Sequence, residues 1–196
     1  MQVDIKEIEE VSKTLYIRAL KLLPADIKQG FERLVRDETS TTGKTVLGTM
    51  VENIAVAERT RNLLCQDTGI PIYNIKIGRD VTLDGAAMKA AIRKGCERAT
   101  KEHPLRSSVV HPITRKNEQT SCGVGVPVIN IDFDERPETL EIEMIPKGSG
   151  SENGSFLQML IPADGVGAVK RFVIDKVIEC GGRVCPPTIV GVGIGG

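Results

Sequence analysis

The chain has 196 residues, enough for one large domain or two small ones. Its 26 basic and 26 acidic residues cancel, so charge gives no reason to expect binding to nucleic acid or to an anionic membrane. No apolar run reaches the roughly 18 residues that span a bilayer, and five cysteines without a compact disulfide pattern indicate a reducing, cytoplasmic compartment.

The first half of the chain is predicted to be mostly helical. Apolar residues recur at helical spacing from Ile5 to Leu22, and a second helix follows with Pro24 near its first turn. Asp84 is a suitable N-cap for a later, alanine-rich helix. The predicted elements that follow the second helix are a helix over residues 44–64, a strand over 70–77 and a helix over 84–101.

The second half has more strand character. Residues 124–133 are β-branched and apolar, and residues 140–145 alternate with period two, so both are predicted strands joined by a hairpin-like turn over 134–138. A helix over 164–180 should end at Gly181, and residues 188–194 form a last predicted strand. The predicted fold class is mixed α/β, with a helical N-terminal portion packed on a mixed β-sheet body with flanking helices, in a single domain over residues 1–196.

The most informative motif is Cys65-Gln66-Asp67-Thr68-Gly69, where a predicted helix gives way to a strand. It combines a thiol, a carboxylate and a flexible turn within five residues. A second thiol, Cys185, precedes Pro186-Pro187 at another predicted loop–strand junction. The pattern favours a metal or iron–sulfur site that performs acid–base chemistry. The alternatives are that both thiols are buried packing residues and that Asp67 only holds an Asx-type turn before Gly69.

Two further segments offer groups for binding an anion. Arg106 can match a carboxylate with two hydrogen bonds, although from the residues alone a surface arginine in a loop is the favoured alternative. The stretch Lys147-Gly148-Ser149-Gly150-Ser151-Glu152-Asn153 lets a ligand approach backbone N–H groups because its glycines lack side chains. Its alternative is a plain flexible loop.

The Cys65 and Cys185 motifs and the Gly148–Gly150 stretch together resemble the class I (iron–sulfur) fumarate hydratases and the related L-tartrate dehydratases. The resemblance runs in order from about Asp37 to Gly196 and is to the alpha subunit, or N-terminal half. It implies a [4Fe–4S] cluster held by Cys65, Cys185 and a third cysteine beyond Gly196. It also implies Asp67 as a catalytic residue and a set of substrate-binding residues: Gln66, Asp67, Arg106, Gly148 and Gly150.

The reaction implied by this resemblance is the reversible hydration of fumarate to L-malate, with a dicarboxylate substrate, a beta subunit as partner and an alpha2beta2 assembly. We expect the chain to be truncated at its C-terminus, since family members continue past this point. Residues 117–127 depart from the commonest fumarase pattern towards the tartrate enzymes, so L-tartrate and mesaconate remain alternative substrates. A non-catalytic zinc-binding or scaffold module is the alternative from another class.

The remaining features are predicted to be structural. Gly43-Lys44-Thr45 imitates the end of a phosphate-binding loop, but Glu38 stands where that loop needs a glycine, so a helix start is the better interpretation. Cys96 and Cys180 should be packing residues, whereas Cys122 lies in a glycine-rich segment that could approach the site. His103 and His111 lack a partner at metal-ligand spacing.

Overall fold

The computed structural model describes residues 2–195, which contain five α-helices, three β-strands and three short 3-10 helices. The elements are α1 (Ile5–Lys21), α2 (Ala25–Asp37), α3 (Thr41–Thr60), β1 (Ile70–Gly78), α4 (Gly85–Glu102), β2 (Val128–Asp134), β3 (Leu140–Lys147) and α5 (Gly165–Cys180), with 3-10 helices at Ser149–Gly154, Pro162–Asp164 and Gly181–Arg183. The predicted mixed α/β class is confirmed. None of the helices in this part of the chain is both long and apolar enough to cross a membrane.

The chain divides into two compact units. The first comprises residues 1–24 and 48–148, and the second comprises residues 25–47 and 149–196, so one boundary falls inside α3. The single domain inferred from the sequence over residues 1–196 stays a prediction.

The sheet of the first unit has the strand order β2-β1-β3. β1 pairs with β2 in parallel, with Ile72 opposite Val128, and with β3 antiparallel, with Ile72 opposite Ile145. The predicted hairpin over residues 134–138 is therefore wrong, because β2 and β3 lie on opposite sides of β1 and do not pair with each other.

The connection between β2 and β3 passes across the end of β1. Gly78, the last residue of β1, donates its N–H to the carbonyl oxygen of Thr139 at 2.7 Å. A β-carbon on Gly78 would lie 2.4 Å from the carbonyl oxygen of Arg136, so only glycine fits beneath this crossing. The turn-forming residues between β2 and β3 therefore form a connection that crosses the end of β1, and they do not form a hairpin.

The core of the first unit lies between α1, α4 and one face of the sheet. Side chains of β1 alternate, and Tyr73, Ile75 and Ile77 point to the buried face. They pack in one cluster with residues of the two helices, including Ile8 and Ile92. Asp84 accepts hydrogen bonds from the N–H groups at the start of α4, which confirms its predicted role as N-cap.

The opposite face of the sheet carries a row of polar side chains across all three strands. Asn130 of β2 donates to the Asn74 side-chain oxygen at 2.9 Å, and Asn74 of β1 donates to Glu143 of β3, also at 2.9 Å. These amide and carboxylate groups are exposed, so water can satisfy their remaining hydrogen-bonding capacity.

Helix α3 begins at a polar cap, as the sequence indicates, although its ends differ from the prediction. It starts three residues earlier and ends four residues earlier than residues 44–64. Ser40 accepts a hydrogen bond from the Gly43 N–H through its hydroxyl at 3.3 Å and from Lys44 through its carbonyl at 2.9 Å. The Gly43-Lys44-Thr45 triplet therefore lies in the first helical turns and not in a phosphate-binding loop.

The second unit contains α2, α5 and the 3-10 helices. One sequence-based prediction fails here. Residues 188–194 are not a strand, since no pairing partner for them exists among residues 2–195 and an unpaired strand leaves its backbone groups unsatisfied. Ser149–Gly154 is a 3-10 helix, which differs from the plain flexible loop considered as the alternative for this stretch. The end of α5 at Gly181, which has a positive φ of 50°, agrees with the prediction.

Candidate functional site

The segment between α3 and β1 is fixed on two sides before it reaches Cys65. The Leu64 N–H donates to the carbonyl oxygen of Leu20, at the end of α1, at 3.0 Å. The carbonyl oxygen of Leu64 accepts from the side chain of Asn53 on α3, also at 3.0 Å. Cys65 thus emerges, exposed, from a backbone that is held by both helices.

The residues after Cys65 form an Asx-type turn around Asp67. The Asp67 carboxylate accepts the Gly69 N–H through Oδ1 at 3.1 Å, and the Asp67 N–H donates to the Cys65 sulfur at 3.4 Å. Gly69 has a φ of 69°, which favours glycine. A β-carbon on Gly148 would lie 3.0 Å from Asp67 Oδ2, so this predicted site residue borders the carboxylate. The Asx-type turn that was considered as a structural role for Asp67 is therefore present.

Arg106 is tied to this turn by two contacts in opposite directions. Its Nε donates to the carbonyl oxygen of Gln66 at 3.1 Å, and its own carbonyl oxygen accepts a short hydrogen bond from the hydroxyl of Thr68. No partner for its terminal Nη atoms exists within residues 2–195. The guanidinium is therefore held at one nitrogen while two others remain able to bind a ligand.

Behind the turn, a buried tyrosine contacts its backbone. Tyr16 of α1 has no exposed surface, and its hydroxyl donates to the carbonyl oxygens of Thr68 at 3.1 Å and Gly69 at 3.4 Å. Burial raises the pKa of Tyr16 to about 12. The hydroxyl consequently stays protonated, and able to donate, throughout the range in which proteins normally work.

An open cleft of about 490 Å³ lies against this segment. Three of the predicted site residues line it, namely Cys65, Gln66 and Arg106, whereas Asp67 and Gly148 are adjacent and do not. The remaining lining residues are Asn53, Leu63, Leu64 and Pro104. The cleft combines a thiol, an amide and a guanidinium, and the amide and guanidinium can donate hydrogen bonds to a small anion.

The sequence did not identify Asn53 as part of this cleft. Asn53 lies on α3, twelve residues before Cys65 and next to the apolar Ile54. A polar residue beside an apolar helix face is a weak signal, and no motif marks it.

The other two predicted site residues, Gly150 and Cys185, belong to the second unit. Gly150 is part of the 3-10 helix that follows β3, and a β-carbon there would meet nothing within 4 Å. Cys185 is exposed. Pro187, two residues after it, packs against Gly30 of α2, where a β-carbon would lie 3.1 Å from the proline ring.

The five cysteines fall into two classes. Cys65 and Cys185 are exposed, whereas Cys96, Cys122 and Cys180 are buried. Burial of Cys96 and Cys180 agrees with their predicted packing role, and Cys122 contacts the Arg93 carbonyl oxygen of α4 at 3.5 Å instead of the cleft. The Cys96 thiol donates to the Ser121 carbonyl oxygen at 3.7 Å. The mutual influence of the neighbouring Cys96 and Cys122 thiols raises the pKa of Cys96 and lowers that of Cys122.

A cluster-binding role can be compared with the donors that are present. Within residues 2–195 no group of three His, Cys, Asp or Glu side chains is arranged to hold a metal ion. A [4Fe–4S] cluster needs three or four thiolates. The two exposed cysteines are Cys65, in the first unit, and Cys185, in the second. His111 accepts the N–H groups of Ile113 and Thr114 in a turn.

Sequence comparison decides the family. The sequence model of a family described as fumarate hydratase (fumerase) matches residues 9–196. The chain belongs to this family. This confirms the predicted relationship to the class I fumarate hydratases and L-tartrate dehydratases.

Three curated relatives of this fumarase-family chain illustrate its similarity. It is 44% identical over 97% of its length to a putative L(+)-tartrate dehydratase subunit alpha from Methanocaldococcus jannaschii. It is 31% identical over 88% of its length to the L(+)-tartrate dehydratase subunit alpha of Escherichia coli, and 28% identical over 98% to a putative fumarate hydratase class I of Geobacillus stearothermophilus. The matches cover 67%, 56% and 38% of those three proteins, respectively.

Proposed function

We propose that this chain is the alpha-type part of a [4Fe–4S]-dependent hydro-lyase that acts on a four-carbon dicarboxylate, with fumarate and L-malate as the leading pair. The observation that carries the proposal is one cleft lined by the exposed Cys65 thiol, the Arg106 guanidinium and Gln66. A carboxylate anchor beside a metal ligand suits the metal-assisted hydration of a dicarboxylic alkene.

Cys65 and Cys185 would hold the cluster, together with a third ligand from outside the described residues. When bound, the cluster supplies an iron with an open coordination position, which acts as a Lewis acid towards an oxygen of the substrate. Exposure of both thiols supports the assignment, because a ligand must present its sulfur at a surface that the cluster can reach.

Arg106 would bind a substrate carboxylate. Its Nε is engaged with the carbonyl oxygen of Gln66, which restrains the orientation of the planar guanidinium. The two Nη atoms can then donate to both oxygens of one carboxylate, a pairing stronger than a single neutral hydrogen bond. Gln66 lines the same cleft and would contribute its side-chain amide.

Asp67 would handle a proton or orient the hydroxyl that leaves or adds. Its Oδ1 accepts the Gly69 N–H, and Gly148 borders Oδ2. Glycine at position 148 fits this role because any side chain would crowd that oxygen. Gly150 of the second unit would contribute its backbone to substrate binding.

L-tartrate is the second candidate substrate. The relatives from Methanocaldococcus jannaschii and Escherichia coli are named as L(+)-tartrate dehydratase alpha subunits. Their names also support a partner, and we propose a beta subunit and an alpha2beta2 assembly. All five cysteines are free, which suits a reducing compartment, and we propose the cytoplasm.

The test is made on the complete alpha subunit that contains this chain and the proposed third ligand, purified with its beta partner and reconstituted anaerobically with iron and sulfide. Turnover of L-malate, L-tartrate and a methylated homologue that yields mesaconate is measured in parallel, with iron and zinc analysis of each sample. We expect iron uptake and turnover, both lost in Cys65→Ala and in Cys185→Ala. Cys180→Ala is the matched control, since it removes a buried cysteine five residues from Cys185 and should retain both.

Each outcome has a distinct meaning. A folded complex that takes up iron but turns over none of the three substrates would remove the proposed function. Normal iron uptake by Cys65→Ala would remove the ligand assignment. A protein that retains zinc in air, and no iron, would support the zinc-binding alternative.

A further inference from the structure

Two fully buried tyrosines in the first unit make different use of their hydroxyl groups. Tyr73 of β1 donates to the Ser12 carbonyl oxygen inside α1 at 3.0 Å. Tyr16 of α1 donates to the carbonyl oxygens of Thr68 and Gly69, the two residues that follow Asp67. Both satisfy a buried phenol, but the Tyr16 acceptors belong to the candidate site.

Thr68 extends this contact to the carboxylate anchor. Its side chain is fully buried, and its hydroxyl donates to the carbonyl oxygen of Arg106. Arg106 in its turn donates a hydrogen bond from Nε to the Gln66 carbonyl oxygen at 3.1 Å. A continuous set of hydrogen bonds therefore connects the core tyrosine with the turn and then with Arg106.

We propose that Tyr16 and Thr68 are positioning residues, with Tyr16 fixing the backbone of the Cys65–Gly69 turn and Thr68 fixing Arg106 relative to that turn. This inference rests on the proposed function for its kinetic part, because it assigns Arg106 to substrate binding. Neither residue lines the cleft, so both act through the groups that do.

The site residues are exposed, whereas the two residues proposed to position them are buried. Cys65, Gln66 and Arg106 are exposed, and exposed loop residues have few packing contacts to hold them. Tyr16 and Thr68 lie beneath them with no exposed surface. Hydrogen bonds in such surroundings are not competed for by water, so they restrict the turn more than surface contacts could.

The first experiment needs neither metal nor substrate. Amide hydrogen exchange is measured across residues 65–69 in the chain with its partner, comparing Tyr16→Phe with Tyr73→Phe. Each change removes one buried hydroxyl and keeps the ring, so the two are matched for lost packing and differ in the acceptor. We expect exchange in this segment to become about fivefold faster in Tyr16→Phe, the factor expected from one lost hydrogen bond, and to stay within twofold of the parent in Tyr73→Phe.

The second experiment separates KM from kcat in the reconstituted enzyme. Thr68→Val keeps the shape of the side chain and removes the hydroxyl, so we expect KM to rise about tenfold with a smaller effect on kcat, since Arg106 loses one of its two contacts with the turn. Thr68→Ser restores the hydroxyl and should return KM to within threefold of the parent. Tyr16→Phe should lower kcat, because it loosens the whole turn, whereas Tyr73→Phe should leave kcat unchanged.

The inference fails if Tyr16→Phe and Tyr73→Phe give the same exchange rates over residues 65–69, or if Thr68→Val and Thr68→Ser give the same KM. An inactive parent enzyme would count against the proposed function instead, and the exchange comparison would still decide the role of Tyr16. Should Thr68→Val not fold, the two tyrosine variants decide the outcome.

Discussion

Gly95 of α4 lies directly against the backbone of α1 at Glu9. A β-carbon built on Gly95 would stand 2.4 Å from the Glu9 carbonyl oxygen and 2.9 Å from the β-carbon of Ser12. Backbone atoms on one side and a buried, fully packed residue on the other cannot move aside easily. The approach of these two helices therefore depends on the absence of a side chain at this position.

We expect Gly95→Ala to lower the free energy of unfolding by about 2 kcal/mol, because overpacking outweighs the better helix propensity of alanine. Gly85→Ala is the matched control on the same helix, since a β-carbon there meets nothing within 4 Å. Thermal unfolding of both variants measures the difference. Equal stability of the two would contradict the close contact.

Two constraints act at Gly69, a left-handed backbone conformation and a close steric contact, whereas only the first of them acts at Gly125. Gly69 and Gly125 have nearly the same φ, 69° and 68°, but a β-carbon on Gly69 would lie 2.8 Å from the backbone of Lys147, whereas one on Gly125 would meet nothing. We expect Gly125→Ala to cost about 1 kcal/mol, the penalty for a left-handed conformation. Gly69→Ala should cost at least about 2 kcal/mol more. Chemical denaturation measures both, and similar losses would argue against a steric role for Gly69.

Glu102, at the end of α4, should make stability depend on pH. Its hydrogen bond with Lys13 at 2.7 Å, followed by the one with Arg98 at 2.8 Å, lowers its pKa from 4.5 to about 2. Because the folded protein binds this proton more weakly, the stabilisation is present above pH 4.5 and is lost as the pH falls to about 2.

The variant Glu102→Gln should accordingly have a lower unfolding temperature than the parent at pH 7, and this difference should shrink between pH 4.5 and 2. Lys13→Met removes the first partner and should weaken the same pH dependence. The unfolding temperatures of the parent and both variants are measured at pH 7, 4.5 and 2. A difference that persists unchanged at pH 2 would mean that the Glu102 charge is not its source.

Arg106→Lys tests the carboxylate anchor of the proposed enzyme. Lysine keeps the charge but loses both the planar pair of donors and the Nε bond to Gln66, so we expect KM to rise about tenfold with kcat less affected. Arg115→Lys is the control, an exposed arginine nine residues further along the chain, outside the cleft. It should change KM less than twofold. Equal effects of the two substitutions would remove Arg106 from substrate binding.

Local signals in the sequence predicted the elements well where one residue decides a boundary. Asp84 as N-cap and Gly181 as the end of α5 are examples, since each satisfies backbone groups of its own helix. Partner choice within the sheet was not accessible in this way. The turn residues after Asp134 indicate a change of direction, but nothing local shows that β1, more than fifty residues earlier, occupies the place between β2 and β3.

The residues of the candidate site were likewise predicted only in part. The motif around Cys65 and the isolated Arg106 were predicted, and both line the cleft. Asn53 and Tyr16 were not, because an asparagine on a helix and a tyrosine in an apolar stripe are ordinary at those positions. Their contacts with Leu64 and Thr68 come from packing across 11 and 52 residues of chain, which composition and spacing do not encode.

The central position of β1 has a consequence for synthesis on the ribosome. The start of β2 at Val128 lies 50 positions after the end of β1 at Gly78, and the start of β3 at Leu140 lies 62 positions after it. At about 5–20 residues per second, one edge of this apolar strand waits about 3–10 s for β2 and the other about 3–12 s for β3. Meanwhile α1 is complete and α4 is emerging, so they can cover one face of β1 but neither of its edges. The nascent chain is therefore most exposed to edge-to-edge association, and most in need of a chaperone, during that interval.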